Sequence, residues 1–413
     1  MMNYDIVVIG GGASGMLSSA VAASTGARVL LLERNAQPGK KLQITGKGRC
    51  NLTNDCAVTE VIDNIPTGGK FLRSVLSAFT PGGAIELFER LGVPLKTERG
   101  NRVFPQSDNA RDIVAALIRY MNDAGVVIKR GRATGVVADN GRVAAVNSDN
   151  MAVECGAVIL STGGMSYPAT GSTGDGYEIA RKLGHTVTPL RGSLVPLEAE
   201  PGICGRMQGL TLKNVRLSVF DGGKKPVFED FGELLFTHFG ISGPLVLSAS
   251  AHMRDFRHKE YYALIDFKPA LDEKKLDLRI LRDFEKYSNR DFANSLGDLL
   301  SRLSIPVIIE KSGIPPCHKV HSISREQRLG LVSLLKGFRI DISGPRPVEE
   351  AIITSGGVDL REINPKTMES KLIHGLYFAG EIIDADAYTG GFNLQIAWST
   401  AVAAARGAVD KQG

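Results

Sequence analysis

The sequence predicts an α/β fold: a Rossmann-like nucleotide-binding domain built from both ends of the chain, interrupted by a β-rich and then helix-rich middle. Three observations carry this expectation. A β-branched run at 4–9 (YDIVVI) is followed at once by Gly10-Gly11-Gly12-Ala13-Ser14-Gly15, the chemistry of a turn from a buried parallel strand into a helix. An apolar stretch at 376–379 (LYFA) has no neighbouring strand in sequence, yet precedes an alanine-rich run at 394–409; a parallel strand needs partners, so the two chain ends should share one sheet. From about residue 190 the texture changes: 190–268 alternate apolar and polar residues between Pro and Gly turns, and Asp272 to Glu310 are rich in Lys, Asp, Arg and Leu.

Taken in order, the run 4–9 reads as a strand, Met16 to Ser24 as a small-residue helix, and 27–32 (ARVLLL) as a second strand ending at Glu33. Helical spacing spans 70–92 (Phe71, Val75, Leu76, Phe79, Ile85, Phe88, Leu91) and returns at 110–124. Short strands follow (VVIKRG, ATGVVAD, RVAAVNS, MAVEC), with Asn140-Gly141 as a hairpin turn, and 157–161 (AVILS) as a separate buried strand. The middle reads as a small β domain, then two or three helices, then another helix at 325–337.

Composition excludes several classes. The 47 glycines in 413 residues are about 11% against about 7% in an average protein; they are not periodic, which excludes collagen, and cluster beside apolar runs. The formal charge of +5 is spread along the chain with no basic arm, so the pattern argues against a nucleic-acid partner and for a mixed-charge solvated surface. Five cysteines without a C-x-x-C argue against structural zinc and fit a reducing compartment. The N-terminus lacks a signal-peptide n-region, and no apolar stretch approaches the roughly 18 residues of a membrane span; a cytoplasmic protein is expected.

The first motif carries the clearest chemistry. Gly10 permits a sharp turn, Gly12 lets backbone amides approach a pyrophosphate, and Gly15 lets helix and strand pack closely. Ala13 and Ser14 open the helix, whose N-terminus attracts phosphate. Glu33, ending the second strand, suits a ribose diol and not a 2′-phosphate. This motif alone does not separate NAD from FAD.

Two further segments do. Thr162-Gly163-Gly164 follows the strand 157–161, and 376–381 reads Leu-Tyr-Phe-Ala-Gly-Glu. Here the sequence resembles the two-dinucleotide-binding flavoprotein superfamily, in which such turns close around FAD. The resemblance implies that Glu381, after Gly380, accepts a hydrogen bond from a ribityl hydroxyl. It also implies that Gly391, Phe392, Asn393 and Leu394, opening the last helix, stabilise charge at flavin N1/O2. Lys40-Lys41-Leu42, Gly46 to Asn54 (GKGRCNLTN), Gly171 to Tyr177 (GSTGDGY), Glu233 to His238 with Ser242-Gly243-Pro244, and Thr354 to Gly357 are similar to the YhiN-like flavoproteins, the family of the BaiN-like and aminoacetone-oxidase-like enzymes. That resemblance covers about Tyr4 to Gly407.

The resemblance implies a Rossmann-like FAD-binding domain (1–189 and 346–413), an inserted β-barrel-like substrate domain (190–270 and 338–345) and a helical subdomain (271–337). It implies a redox flavoenzyme with non-covalent FAD, moving a hydride between flavin N5 and a small organic substrate. NAD(P)H is expected at most as a transient co-substrate, because 165–370 holds no second G-x-G-x-x-G; oxygen or another acceptor is the alternative partner for the flavin. Lys41 and Arg49 are expected to offset phosphate charge, and Cys50-Asn51 to reach the flavin edge, with Leu42 and Gly48 beside them; Arg34, Ala133 and Asp175 complete the expected cofactor contacts. Cys50 and Cys56 have five intervening residues where disulfide reductases have four, so they read as two unpaired thiols. His238 is the candidate proton-exchanging group. His318 and His321 near Cys317 lack a second ligand pair, so no metal is expected. Arg254, Arg257, His258 and Lys259 read as a solvated loop, with RNA contact as a rival reading. A second rival is an enone or enoate reductase, because Thr173 to Gly176 resembles the fumarate-reductase branch; it would need an arginine proton donor in the insertion.

Overall fold

The computed structural model describes residues 4–410. The chain forms two compact units, one of residues up to Ser193 together with those from Val348, the other of Leu194–Pro347. No helix among the described residues is long and apolar enough to cross a membrane.

The first unit is organised by a parallel sheet. Strand β1 (Tyr4–Ile9) leads through helix α1 (Ala13–Ala23) to β2 (Val29–Glu33). Helix α2 (Ala110–Asp123) precedes β3 (Val127–Arg130). Strands β4 (Ala133–Asp139) and β5 (Arg142–Ser148) form a hairpin leading to β6 (Ala152–Leu160), and β7 (Leu376–Phe378) precedes helix α3 (Phe392–Asp410). The parallel order is β3-β2-β1-β6-β7, with Ile6 opposite Val29 and Ala157, Glu33 opposite Arg130, and Phe378 opposite Leu160. The central parallel strands are buried on both faces; Val7, Val8, Leu30, Ile159 and Phe378 are fully buried. The two chain ends therefore share one sheet. Asn140 and Gly141 both take positive φ in the β4–β5 turn, 49° and 75°, as a two-residue hairpin requires.

Two expectations are corrected. MAVEC and AVILS are a single strand, β6. Its first half pairs antiparallel with β5 (Val146 opposite Val153), and its second half lies parallel between β1 and β7. The change of partner along one strand, not a turn, produced the change of sequence texture. The helical stretch 70–92 is two helices, Gly69–Ala78 and Pro81–Arg90. Phe79 is extended, and the Thr80 hydroxyl caps the second helix by accepting from Gly83 N–H at 3.1 Å, with Pro81 in its first turn.

His185 locks the edge of this unit. Its Nδ1–H donates to Glu362 Oε2 at 2.9 Å, and its Nε2 accepts from the Ser370 hydroxyl at 2.8 Å. The order acid–histidine–serine copies a nucleophile relay. However, Ser370 Oγ is buried and also accepts Leu372 N–H at 3.0 Å and Ile373 N–H at 2.8 Å, so it anchors a turn. Burial holds the His185 pKa below its usual value, outweighing the Glu362 contact. The neutral ring is thus favoured on folding. Its stabilisation is present above about pH 6.5 and is lost as pH falls below that value. Replacing His185 with alanine strands Glu362 and Ser370 and is expected to cost about 2–4 kcal/mol. Urea unfolding at pH 7.5 and 5.5 checks both statements: the wild type loses stability at the lower pH, and the variant loses less.

The second unit is a closed six-stranded barrel with helices packed on it. Strands Leu197–Ala199, Gly240–Ser242, Phe228–Phe236, Thr211–Phe220, Tyr261–Asp266 and Phe338–Pro345 pair in that order around the ring. Alternation fills the interior with Leu217, Val219, Phe236, Ala263, Ile265 and Ile340, all fully buried. Gly240 closes the ring: a Cβ there would lie 2.2 Å from Leu197 O. Helices Glu273–Lys286, Ile305–Ser312 and Arg325–Lys336 share the barrel's core. Arg328 pairs with Asp277 at 2.6 Å and Lys336 with Asp266 at 2.6 Å.

Candidate functional site

The site lies where β1, β2, β6 and β7 end, all at the carboxyl edge of the parallel sheet. In open α/β sheets, loops at that edge form the binding crevice. The turn after β1 has two closed glycines and one open. Gly10 has φ +100°, and a Cβ there would sit 2.7 Å from Ser161 O. At Gly15 a Cβ would meet Gly10 O at 1.8 Å. At Gly12, by contrast, it would meet nothing within 4 Å. Gly12 is the N-cap of α1 and makes no side-chain cap, so no side chain fills the place where the first-turn amides of Ala13 and Ser14 attract an anion.

Glu33 is buried and held by three donors. Its Oε2 accepts Gly11 N–H at 2.7 Å, and its Oε1 accepts Asn35 N–H at 2.6 Å and Asn35 Nδ2 at 2.7 Å. A carboxylate offers about four acceptor positions, which leaves one on Oε2 for a ligand hydroxyl. Arg34 turns to Thr173 and Asp175. Ala133 is buried at the start of β4.

The third and fourth turns interlock. The Ser161 hydroxyl donates to Ile9 O at 2.9 Å. Thr162 Oγ1 is buried without a hydrogen-bond partner among the described residues, the one such atom in this crevice, which fits a donor or acceptor on a bound group. Gly163 has φ 72°, and a Cβ on Gly164 would lie 2.3 Å from Thr354 Oγ1. Ser14 Oγ donates to Ala379 O at 3.2 Å, and Gly380 allows that approach. Glu381 Oε1 accepts Thr354 N–H at 2.8 Å and the Ser166 hydroxyl at 3.2 Å, while Oε2 accepts Lys41 Nζ at 2.7 Å. Lys41 thus turns its charge to Glu381.

The 390–395 turn is clamped to residues 51–54. A Cβ on Gly391 would lie 2.3 Å from Thr53 O. The Asn51 carboxamide accepts Gly391 N–H at 3.0 Å and donates to Thr53 O at 3.1 Å. Asn393 closes its own loop, donating to Ala387 O at 2.8 Å and accepting Ala387 N–H at 2.9 Å. Phe392 is buried and Leu394 half-buried. Gln395 and Trp398 were not among the expected site residues. Gln395 is fully buried and bonds Thr53 Oγ1 at 2.7 Å and Phe79 O at 3.0 Å, and Trp398 Nε1 donates to Leu52 O at 3.0 Å. A buried Gln and the chain's single Trp in an alanine-rich helix were the available signal.

Arg49 is engaged with acids. Its guanidinium pairs with Glu98 and Asp108 and lies 4.2 Å over the Phe104 ring, anchoring the loop that holds Leu42, Gly48 and Cys50. Cys50 has φ 58° and is fully buried; burial pushes its thiol up to about 12, and that of Cys56 up to about 11. Neither is a thiolate at neutral pH, and all five cysteines are unpaired. Among the described residues no cluster could hold a metal ion.

His238 belongs to the second unit, in the loop between strands Phe228–Phe236 and Gly240–Ser242. It is exposed, edge-on to Phe239 at 5.0 Å. Nearby Thr237 Oγ1 is buried without a partner. In the basic loop His258 lies 2.8 Å from Asp255, and Lys259 pairs with Asp221 at 2.5 Å.

A family model described as the HI0933-like protein Rossmann domain matches residues 4–407. The chain is 31% identical over 406 residues to ribosomal RNA dihydrouridine synthase of Escherichia coli (strain K12), covering 98% of each protein. It is 30% identical over 410 residues to 3-dehydro-bile acid delta(4,6)-reductase of Clostridium scindens, covering 98% of this chain and 99% of that one. The structure of 3-ketosteroid delta1-dehydrogenase from Sterolibacterium denitrificans is similar in fold, with a TM-score of 0.55 at 13% identity over the whole of both chains.

Proposed function

The chain belongs to the HI0933-like family, and from that premise we propose that it is a FAD-dependent oxidoreductase that saturates a carbon–carbon double bond conjugated to a carbonyl. The observation that carries the FAD reading is the crevice over Gly12: four turns from distant parts of the chain converge, with close approaches at Gly10, Gly15, Gly164, Gly380 and Gly391, open space at Gly12, and an unpartnered Thr162 hydroxyl. Bound FAD supplies a hydride donor or acceptor at its N5. The protein's part is to hold it. Gly12 and the first-turn amides of α1 take the pyrophosphate, Glu33 takes a ribose hydroxyl, and Glu381, braced by Lys41, faces the chain of hydroxyls between. The first-turn amides of Phe392, Asn393 and Leu394 place positive dipole beside the ring carbonyl.

The relatives' names support the substrate class. Making dihydrouridine saturates a ring double bond conjugated to a carbonyl, and a 3-dehydro-delta(4,6) bile acid carries a dienone. A base in RNA and a small ring compound are therefore two substrates for one chemistry. The spread of charge along the chain without a basic arm favours the small molecule, whereas the ribosomal RNA relative favours the base.

The test begins with the purified yellow protein. Acid precipitation is expected to release all colour as FAD; colour left in the pellet, or FMN in solution, sinks the cofactor assignment. The photoreduced protein is then mixed anaerobically with a conjugated dienone, with uridine-containing RNA, and with a saturated ketone. Reoxidation by either of the first two and not by the third is expected, whereas reoxidation by oxygen alone refutes the reductase reading. Parallel titration with NADH and NADPH identifies the electron donor by bleaching.

His238 is proposed as the proton-exchanging group toward substrate. His238→Gln is expected to retain FAD, lower turnover about tenfold to a hundredfold, and remove one limb of the pH–rate profile. An unchanged profile excludes it.

A further inference from the structure

The residues adjoining Glu33 form a cluster that the dinucleotide turns do not account for. Gly131 N–H donates to Glu33 O at 2.9 Å, so the chain leaving β3 passes the end of β2, and Arg132 follows at once. Arg34 follows Glu33 on the neighbouring strand. Both arginines converge on Asp175, the first residue of the helix Asp175–Lys182. Arg34 Nη1 lies 3.1 Å from Asp175 Oδ2, and Arg132 donates to Oδ2 at 2.7 Å and to Oδ1 at 3.0 Å. Thr173 completes the knot, accepting from Arg34 at 2.5 Å and donating to Asp175 at 3.1 Å.

The segment that delivers Asp175 is fastened along its length. Thr170 O accepts from Asn35 Nδ2 at 2.9 Å, Ala169 O from Lys40 Nζ at 2.6 Å, and Ser166 Oγ from Lys41 Nζ at 2.7 Å. Residues 166–175 are thus a strap laid on residues 34–41. A dinucleotide with its pyrophosphate on the Gly10–Gly15 turn and its ribose on Glu33 has its base next in line. The residues adjoining Glu33 there are Arg34 on one strand and Arg132 with Ala133 on the next. Two guanidiniums sharing one carboxylate, with Asp149 also acting on Arg132, offer flat faces suited to stacking on a purine.

Resting on the FAD reading, we propose that the Arg34–Asp175–Arg132 bridge is a clasp over the adenosine end of the crevice, and that Arg132 and Asp175 are positioning residues that set how long the ADP half of FAD stays bound. The side chains of Arg34, Asp175 and Arg132 are 35%, 21% and 52% exposed, so salt weakens the clasp.

The test follows FAD release from diluted holoprotein by the rise in flavin fluorescence, for wild type, Arg132→Met and Asp175→Asn, at low and high salt. The clasp requires wild-type release that quickens with salt. It requires release about tenfold faster in both variants with little further salt effect, and partial rescue by Arg132→Lys. ADP alone must bind both variants more weakly by a similar factor. Melting of the apoproteins separates this from a folding defect. If Asp175→Asn does not fold, the wild-type salt dependence and Arg132→Met carry the test. Release within twofold of wild type in the variants, or no salt dependence in the wild type, overturns the clasp. A wild-type protein that neither carries FAD nor takes it up overturns the functional reading, and with it the clasp.

Discussion

Gly12→Ala is expected to leave the fold intact and cripple FAD binding, whereas Gly15→Ala is expected to damage the fold itself. The two glycines lie three residues apart in one motif but face different neighbours. A Cβ at Gly12 enters open space, with ordinary extended backbone, so the protein tolerates it. The methyl group then occupies room the pyrophosphate needs. Crowding of this kind costs roughly 1–3 kcal/mol, or about fivefold to over a hundredfold in FAD affinity. At Gly15 the added Cβ would sit 1.8 Å from Gly10 O and 2.7 Å from Ser161 Oγ. Neither the carbonyl nor the buried hydroxyl can swing away, so α1 must part from the sheet, at about 3 kcal/mol or more. Urea unfolding of the apoproteins, with FAD titration alongside, separates the two effects. A Gly15→Ala apoprotein as stable as wild type, or an unchanged FAD dissociation constant in Gly12→Ala, contradicts the geometry.

Glu33→Ala is expected to weaken FAD binding by about tenfold to over a hundredfold, corresponding to roughly 1.5–3 kcal/mol for a lost charge-assisted hydrogen bond. The loss has two sources. One acceptor position on Oε2 remains for the ribose, and the other three hold Gly11 N–H and Asn35. Removing the carboxylate therefore also loosens the turn that presents Gly12 and frees Asn35 from its place against Thr170. Glu33→Gln keeps the size but has only one oxygen acceptor for these donors, so it is expected to fall between wild type and alanine. Reconstitution of apoprotein with FAD, followed by fluorescence quenching, measures all three. Equal dissociation constants would remove Glu33 from the ribose.

Some of the site was legible because its chemistry is local. Gly15 is dictated by the approach of the Gly10 carbonyl within six residues, the turn as a whole by its place between a strand and a helix, and Glu33 by its place at the end of a strand. Gly380 and Gly391 read as turn glycines too, but the atoms that admit no side chain there, Ser14 Oγ and Thr53 O, come from the far end of the chain. Lys41 and Arg49 were legible as cations but not by partner. Lys41 reaches Glu381, 340 positions away, and Arg49 reaches Glu98 and Asp108 across a hairpin. Sequence spacing says nothing about such distances, so both read as phosphate ligands. Gln395 is a polar residue in an alanine-rich run. Only its burial against Thr53 and Phe79 reveals it as the clamp beneath the flavin-side turn.

The sequence by itself determined what depends on near neighbours. That includes the parallel strands with their glycine turns, the Asn140-Gly141 hairpin, and the need for 376–378 to find partners at the far end of the chain. Hydrophobic period and backbone sterics act over a few residues and leave their mark in composition. Tertiary structure decided what depends on distant chain segments meeting. It made β6 one strand with two sets of partners, broke 70–92 at Thr80-Pro81, turned the cations to carboxylates, and drew Arg34, Arg132 and Asp175 into one bridge. A carboxylate selects its cation by proximity in space, and proximity exists only once burial of the core has fixed which loops lie side by side.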